Sequence, residues 1–275
     1  MNPTLKDVKR FWEDNPLFAG ESGQALGSLE FFREHREMIL KECLGGGMDP
    51  RILPRPENAG RVLDLGCGIG FWLPELHASG CRELFAADLT AKAVELARER
   101  CRTYGFAPAF SVQNAEELGF ASGSFSHVNC HGVIHHTPRT EACLAEIARV
   151  LQPGGTASLS VYYRNAILKA WPALRLVGGL LTRLGFGLKG RGRETIFSVR
   201  DVNEIVRYYD GSDNPLGKCY ARGEFLAMLE PHFLVEEVFF HFFPAKAFPF
   251  SLPGPAHRFL DAHLPFMLYV TARKR

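Results

Sequence analysis

The sequence has no Cys-x-x-Cys pair, although seven cysteines occur at positions 43, 67, 81, 101, 130, 143 and 219. Scattered thiols argue against a disulfide framework and against a cysteine zinc site, and they indicate a reducing compartment. No run of about 18 apolar residues is present, so a transmembrane helix is not expected. The first residues lack the basic and then apolar layout of a signal peptide. We therefore expect a cytoplasmic protein without stable membrane insertion.

An excess of charge of one sign is also missing, because the formal net charge is only +2. So small a charge does not by itself indicate nucleic acid or an anionic membrane as a partner. Internal repeats and low-complexity tracts are absent as well. A chain of 275 residues is long enough for one large domain, or for one domain with a sizeable insertion.

The most informative stretch runs from Arg61 to Phe71, where an apolar run containing Asp64 is followed by glycines at 66, 68 and 70. An apolar run bounded by turn residues predicts a strand buried on both faces. Glycines at this spacing let the backbone turn sharply and pass close to a ligand. A helix-compatible pattern follows, so the stretch predicts a strand, a glycine loop and a helix that together face a bound ligand.

The dinucleotide-binding fingerprint requires a third glycine where this chain has Phe71, and here that glycine falls one residue early, at Gly70. The pattern Asp64-x-Gly66-x-Gly68-x-Gly70 instead resembles motif I of the class I S-adenosylmethionine-dependent methyltransferases. Taken alone, the stretch also fits another Rossmann-like loop, including that of an NAD(P)-dependent oxidoreductase.

A second apolar run, 84–88, ends in Asp88. Asp88 follows Asp64 at close to the offset of roughly 20 residues expected of a ribose-binding acid. A carboxylate at the end of the second strand can accept hydrogen bonds from both ribose hydroxyls. The alternative is a helix N-cap before the amphipathic segment 91–104.

The segment 113–118 follows the third predicted strand and resembles the family segment that contacts the adenine edge. Asn114 stands where the family usually has an acid. An asparagine amide can also hydrogen-bond an adenine. The sequence leaves open whether Asn114 or Glu116 makes the contact, and ordinary turn or cap chemistry is the alternative for both.

Three histidines, His131, His135 and His136, follow the fourth predicted strand. The segment resembles the small-molecule branch of the family, which includes the ubiquinone and menaquinone methyltransferases. There it closes over the methionine moiety and faces the substrate. We expect no metal, because no acid or cysteine lies nearby at ligand spacing. His135 or His136 is a candidate general base, and a structural or cofactor-lining role stays open for each.

The resemblance covers residues 60–163, where four motifs follow one another in the family's order. It implies S-adenosylmethionine as the cofactor and S-adenosylhomocysteine as its product. The cofactor-binding candidates are Asp64, Gly66, Cys67, Gly68, Gly70, Asp88, Leu89, Asn114, Ala115, Glu116 and His131. The catalytic candidates are His135, His136 and Tyr163.

The predicted fold is α/β, with a Rossmann-like, mostly parallel sheet of seven strands and helices on both faces. We divide the chain into an N-terminal helical cap (1–58), the cofactor-binding core (59–163), a lid inserted after strand five (164–217) and a C-terminal part of the sheet (218–275). The apolar stretch 167–186 of the lid predicts a packed helical hairpin. A peripheral membrane helix is the alternative, because Arg175, Arg183 and Lys189 flank its apolar residues.

The function expected is methyl transfer to an O, N or C atom of a small apolar or aromatic molecule. The alternatives are an NAD(P)-dependent oxidoreductase and a non-catalytic partner protein that binds S-adenosylmethionine. The expected partner is the small-molecule acceptor, without nucleic acid, and a homodimer is left open.

Overall fold

A computed structural model describes residues 3–186, 193–211, 213–245 and 250–275 of the chain. Most of the basic stretch around Lys189 lies outside the described residues. Within them, the protein is an α/β structure built on one sheet, so the predicted fold class is confirmed.

The sheet has the strand order β3-β2-β1-β4-β5-β8-β7, and β6 pairs with β5 beside this path. Strands β1 to β6 pair in parallel, whereas β8 runs antiparallel to both β5 and β7. The strands are β1 (Arg61–Leu65), β2 (Glu83–Asp88), β3 (Ala109–Val112), β4 (Phe125–His131), β5 (Leu151–Tyr163), β6 (Cys219–Tyr220), β7 (Phe233–His241) and β8 (Met267–Lys274).

The predicted count of seven strands was one too low. The additional strand β6 has two residues, which pair with Tyr162 and Tyr163 at the end of β5. A strand of two residues is too short to produce an alternating pattern, so it could not be predicted from the sequence.

Helices cover both faces of the sheet and the edge at which the parallel strands end. They are α1 (Leu5–Asp14), α2 (Leu29–Cys43), α3 (Trp72–Ala78), α4 (Ala91–Thr103), α5 (Thr140–Val150), α6 (Ala166–Lys169), α7 (Trp171–Arg183), α8 (Val202–Arg207), α9 (Arg222–Leu229) and α10 (Gly254–His263). Within the described parts of the chain, no helix is both long and apolar enough to cross a bilayer.

Strand β1 lies in the middle of the buried core. Leu63 and Leu65 pack in the cluster that contains α5, and Val62 packs on the opposite side of the sheet. Burial on both faces explains why β1 reads as a continuous apolar run rather than as an alternating one. Because the strands around β1 are parallel, the loops that follow β1, β2 and β4 meet at one edge of the sheet.

The N-terminal helix α1 is attached to the core at the start of α4. The carboxylate of Glu13 accepts hydrogen bonds from the backbone N–H groups of Ala91 (3.1 Å) and Lys92 (3.0 Å). The N-cap residue of α4, Thr90, directs its own hydroxyl to Asp88 instead. A side chain of the N-terminal helix α1 therefore satisfies free backbone N–H groups at the start of α4.

Candidate functional site

A cavity of about 330 Å³ lies at the edge of the sheet where the parallel strands end. The glycine loop after β1 and the residues that follow β2 form one part of its wall. The segment after β4, the cap helices and the loop after α8 form the rest. Regions far apart in the sequence thus enclose one space, which matches the usual place of a ligand in an open α/β sheet.

The glycine loop approaches the cavity through Gly68. This residue has a positive φ of +51°, and a Cβ added to it would meet no atom within 4 Å. The loop is held from behind, because the N–H groups of Gly66 and Cys67 both donate to the carbonyl of Ala87, at 2.7 and 3.0 Å. The backbone at Gly68 therefore leaves room for a ligand.

Asp88 ends β2 and lies on the cavity wall. Its Oδ1 accepts from the N–H and the hydroxyl of Thr90, both at 2.9 Å, and its Oδ2 accepts from the N–H of Gly68 at 3.0 Å. Burial raises the pKa of this carboxyl, against the opposing effect of these hydrogen bonds. Three of the four lone-pair positions are occupied, which leaves one on Oδ2 for a ligand hydroxyl.

Asp64 lies behind the loop and does not line the cavity. Its Oδ1 accepts a hydrogen bond of 2.7 Å from the side-chain amide of Asn129. Burial raises the pKa of Asp64 to about 7, the bond from Asn129 lowers it, and the charge of Asp88 raises it further. Asp64 thus joins β1 to β4 behind the loop and does not contact a ligand in the cavity.

Of the two candidates for the adenine edge, only Asn114 lines the cavity, together with the adjacent Ala115. The Oδ1 atom of Asn114 accepts from the N–H of Glu116 at 3.0 Å. The carboxylate of Glu116 instead accepts from the backbone N–H (2.7 Å) and the Nε (2.8 Å) of Arg139. Glu116 therefore fixes the segment after β4 from outside the cavity.

His131 and His135 line the cavity, and within the described residues their ring nitrogens have no hydrogen-bond partner. Burial lowers the pKa of His131 to about 3 and lowers the pKa of His135 well below its ordinary value. Both rings are consequently neutral at pH 7. A neutral imidazole carries one donor and one acceptor, so each ring can hydrogen-bond a ligand in the cavity.

His136 belongs to a buried network that sequence reasoning missed. Its Nδ1 lies 2.6 Å from the carbonyl oxygen of Leu216, and a carbonyl only accepts, so Nδ1 carries the proton. Its Nε2 lies 3.4 Å from Oδ2 of Asp210, and the hydroxyl of Tyr162 donates to the same oxygen at 2.9 Å. All three side chains line the cavity.

No local signal in the sequence distinguishes Asp210, because it lies in a turn-forming stretch after α8, far from His136 along the chain. Only the folding of the lid onto β5 brings the two side chains together. A lone acid in a loop reads as an ordinary solvated residue.

Tyr163 lies outside the cavity. Its ring packs on Phe240 with a centroid separation of 4.8 Å, and successive residues of a strand point to opposite faces. Tyr162 faces the cavity in its place. Gly70 also lies outside, where a Cβ would come within 3.1 Å of the Ala97 backbone in α4.

The structure thus brings ten of the predicted residues to one cavity and leaves four behind or beside it. Those on the cavity wall are Gly66, Cys67, Gly68, Asp88, Leu89, Asn114, Ala115, His131, His135 and His136. Those outside are Asp64, Gly70, Glu116 and Tyr163.

A glycine loop after the first strand, an acid at the end of the second and a cavity between them define a Rossmann-like, nucleotide-binding α/β fold. Residues 63–159 match the family described as "Methyltransferase domain". An S-adenosylmethionine-dependent methyltransferase from Mesorhizobium loti has a similar fold, with a TM-score of 0.52 and 20% identity over 81% of this chain and 94% of that one.

Two curated relatives share more of the sequence. An uncharacterized protein from a Synechococcus strain is 36% identical over 173 residues, which are 58% of this chain and 41% of the relative. A ubiquinone biosynthesis O-methyltransferase from Xanthomonas axonopodis pv. citri is 38% identical over 116 residues, 42% of this chain and 48% of the relative. The chain therefore spans less than half of the length of these relatives.

Residues 63–159 are thus similar to a methyltransferase domain, and the chain shares the fold of a structure described as an S-adenosylmethionine-dependent methyltransferase.

Proposed function

We propose that this chain transfers a methyl group from S-adenosylmethionine to a small apolar or aromatic acceptor held in the cavity. The observation that carries the proposal is that one cavity joins the glycine loop and Asp88 to an aromatic wall with histidines. This wall includes Trp12 from the cap, Tyr162 from the core and Tyr209 from the lid. A wall of this kind suits a flat or apolar acceptor.

The cofactor fits the residues that are present. Gly68 leaves backbone space at the loop, and Oδ2 of Asp88 keeps one acceptor position for a ribose hydroxyl. Asn114 and Ala115 lie where the adenine edge would be held. When it is bound, S-adenosylmethionine supplies a methyl group that its sulfonium has already activated for displacement. The protein mainly has to align the acceptor with this group and exclude water.

We assign the proton-accepting role to His136. Because Nδ1 donates to Leu216, the lone pair of Nε2 is the one that can take a proton from an acceptor hydroxyl or amine. The Asp210 carboxylate, 3.4 Å from Nε2, then stabilises the imidazolium that forms. His135 is less suited to carry the positive charge, because burial keeps its ring neutral, so we assign it a hydrogen bond to the acceptor.

Trp12 contributes to the exclusion of water. Its ring meets the ring of His136 edge to face, with centroids 5.3 Å apart. The cap helix α1 therefore lies over the proton acceptor, and we expect it to shield the acceptor from solvent during transfer.

The cofactor site is tested by calorimetric titration with S-adenosylmethionine and S-adenosylhomocysteine. Asp88→Ala removes the only carboxylate that we assign to the ribose, so we expect binding to weaken by about tenfold to a hundredfold. The control is Glu83→Ala, an exposed residue at the other end of β2. Absence of binding to the wild type, or equal binding by Asp88→Ala, would contradict the site.

The proton acceptor is tested by the release of S-adenosylhomocysteine with a panel of hydroxylated and amino-substituted aromatic acceptors. His136→Asn keeps a donor for the Leu216 carbonyl but removes the base, and Asp210→Asn removes the stabilising charge. We expect kcat to fall by about a hundredfold or more in the first variant and to fall in the second, with cofactor affinity retained. The control is Asp213→Asn, an exposed residue of the same loop.

Unchanged turnover in His136→Asn would remove the general base from the mechanism. Tight cofactor binding without S-adenosylhomocysteine release from any acceptor would instead favour a non-catalytic protein that binds S-adenosylmethionine.

A further inference from the structure

The lid helix α7 exposes large apolar side chains to solvent. Leu176, Leu180 and Leu184 are 66%, 59% and 63% exposed, and Phe186, just after the helix, is 67% exposed. Val177 and Leu181 add to the same surface. A contiguous apolar patch on a water-soluble domain usually marks an interaction site.

These side chains lie together on one face of the helix. At 3.6 residues per turn, positions 176, 177, 180, 181 and 184 fall within an arc of about 140°. The opposite side holds the helix on the protein. There Trp171 stacks on Phe197 with centroids 5.5 Å apart, and a Cβ on Gly178 would lie only 2.1 Å from the same ring. The exposed face is thus additional to the face that α7 already buries.

The charged residues of the chain segment that contains this face are positive. From Arg164 to Arg193 the sequence contains seven basic residues and no aspartate or glutamate. Among the described residues, the exposed Arg183 lies at the border of the apolar arc, and the exposed Lys169 lies just before the helix. An apolar helix face bordered by cations matches a membrane surface with anionic headgroups. Two copies of this chain joined through the same face would bring these cations together, which disfavours a dimer.

We propose that α7 binds the surface of an anionic lipid bilayer, with its leucines at the boundary between headgroups and acyl chains. Helix α7 lies parallel to the surface and does not cross the bilayer. Trp171 of α7 packs in the same buried cluster as Tyr209, which lines the cavity. The bound helix would therefore hold the lid wall of the cavity at the membrane. This proposal does not depend on the identity of the methyl acceptor.

The test is co-sedimentation of the full chain with vesicles of phosphatidylcholine alone and of phosphatidylcholine and phosphatidylglycerol in equal parts. We expect binding to the anionic vesicles that weakens with salt. The variant Leu176→Ser/Leu180→Ser should lower the partition coefficient by about tenfold or more, because each leucine loses its transfer into the apolar boundary. Lys169→Gln/Arg183→Gln should lower it by about fivefold or more.

The matched control is Leu234→Ser, which changes a half-exposed leucine on β7 and should leave vesicle binding unchanged. Titration with S-adenosylmethionine checks that each variant is folded. If the double leucine variant is not folded, Phe186→Ser provides the same test beyond the end of the helix, with an expected fall of several-fold.

Two results would overturn the proposal. One is the failure of the wild type to sediment with anionic vesicles while it still binds S-adenosylmethionine. The other is a wild-type dimer in sedimentation velocity that Leu176→Ser/Leu180→Ser converts to a monomer, which would assign the face to a second copy. Neither result bears on the proposed methyl transfer, because cofactor binding is measured separately.

Discussion

Gly66 joins two parts of the cavity wall. A Cβ at this position would lie 2.2 Å from Cγ2 of Val133, in the segment after β4. Its φ of +70° is also a conformation that other residues adopt at a cost. The glycine loop and the segment with the three histidines therefore pack directly against each other at Gly66.

We predict that Gly66→Ala lowers the free energy of unfolding by about 2–4 kcal/mol, from the clash with Val133 and the backbone conformation together. Urea unfolding measures the loss. The matched control is Gly123→Ala, where φ is +69° but a Cβ would meet no atom within 4 Å. The control should lose only the backbone part, about 1 kcal/mol. Equal losses would mean that Val133 moves aside without cost.

Residues with a local role could be predicted from the sequence, whereas residues whose role depends on distant contacts could not. Gly66, Gly68 and Asp88 could be predicted because each belongs to a short strand and loop pattern. Asp210 could not, since it meets His136 only after the lid folds back. Tyr163 was predicted in place of its neighbour Tyr162 because the sequence of β5 does not alternate between polar and apolar residues. Both faces of β5 are covered, so the sequence does not show which side chains face the cavity.

Helix α1 lies over the cavity and contacts the start of α4 through a side chain. Glu13 accepts from the N–H groups of Ala91 and Lys92, next to the position of Asp88 on the wall. The negative carboxylate also interacts favourably with the N-terminal end of the α4 dipole. A ligand that enters beneath α1 must therefore disturb this contact or pass beside it.

We predict that Glu13→Ala loosens α1 locally, by about 1 kcal/mol, without unfolding the core. Hydrogen exchange of the amides in Leu5–Asp14 should become about fivefold faster, while exchange in β1 and β4 stays unchanged. Asp14→Ala, which alters the adjacent exposed acid, is the control. Unchanged exchange in the Glu13 variant would show that packing alone holds the helix.

Elements of ordinary length were predictable from composition and periodicity. The parallel strands and the amphipathic helix α4 lie where the apolar pattern placed them. The two-residue strand β6 was not predictable, since the pairing with β5 and not its own sequence defines it.

At the scale of the whole molecule, His241 connects three distant parts of the chain. Its Nε2 lies 2.9 Å from Asp49, before β1, and its Nδ1 lies 3.2 Å from Asp261 of α10. Burial lowers the pKa of His241, but the hydrogen bonds and charges of the two aspartates outweigh it, so the pKa is raised. The ring of His241 thus joins Asp49 to β7 and α10, and its protonation strengthens both contacts.

We predict that the wild type loses stability as the pH rises above about 6.5. Because the folded pKa of His241 exceeds its ordinary value of 6.5, its contribution is fully present below that pH and is lost as the pH passes the folded pKa. His241→Gln should be less stable at pH 6 and should lack this decline. Urea unfolding of both proteins across the range measures it, and parallel pH profiles would contradict the bridge.

The short pairing between Tyr162–Tyr163 and Cys219–Tyr220 places the exit and the return of the lid excursion side by side. The chain between them therefore leaves the sheet at the end of β5 and returns to it beside the same strand end. Loop length adds little to the cost of closure, so an excursion of another size or composition would strain the sheet little. Under the proposed function, an exchanged excursion would replace Tyr209 and Asp210 on the acceptor side of the cavity, whereas Gly68 and Asp88 lie outside the excursion.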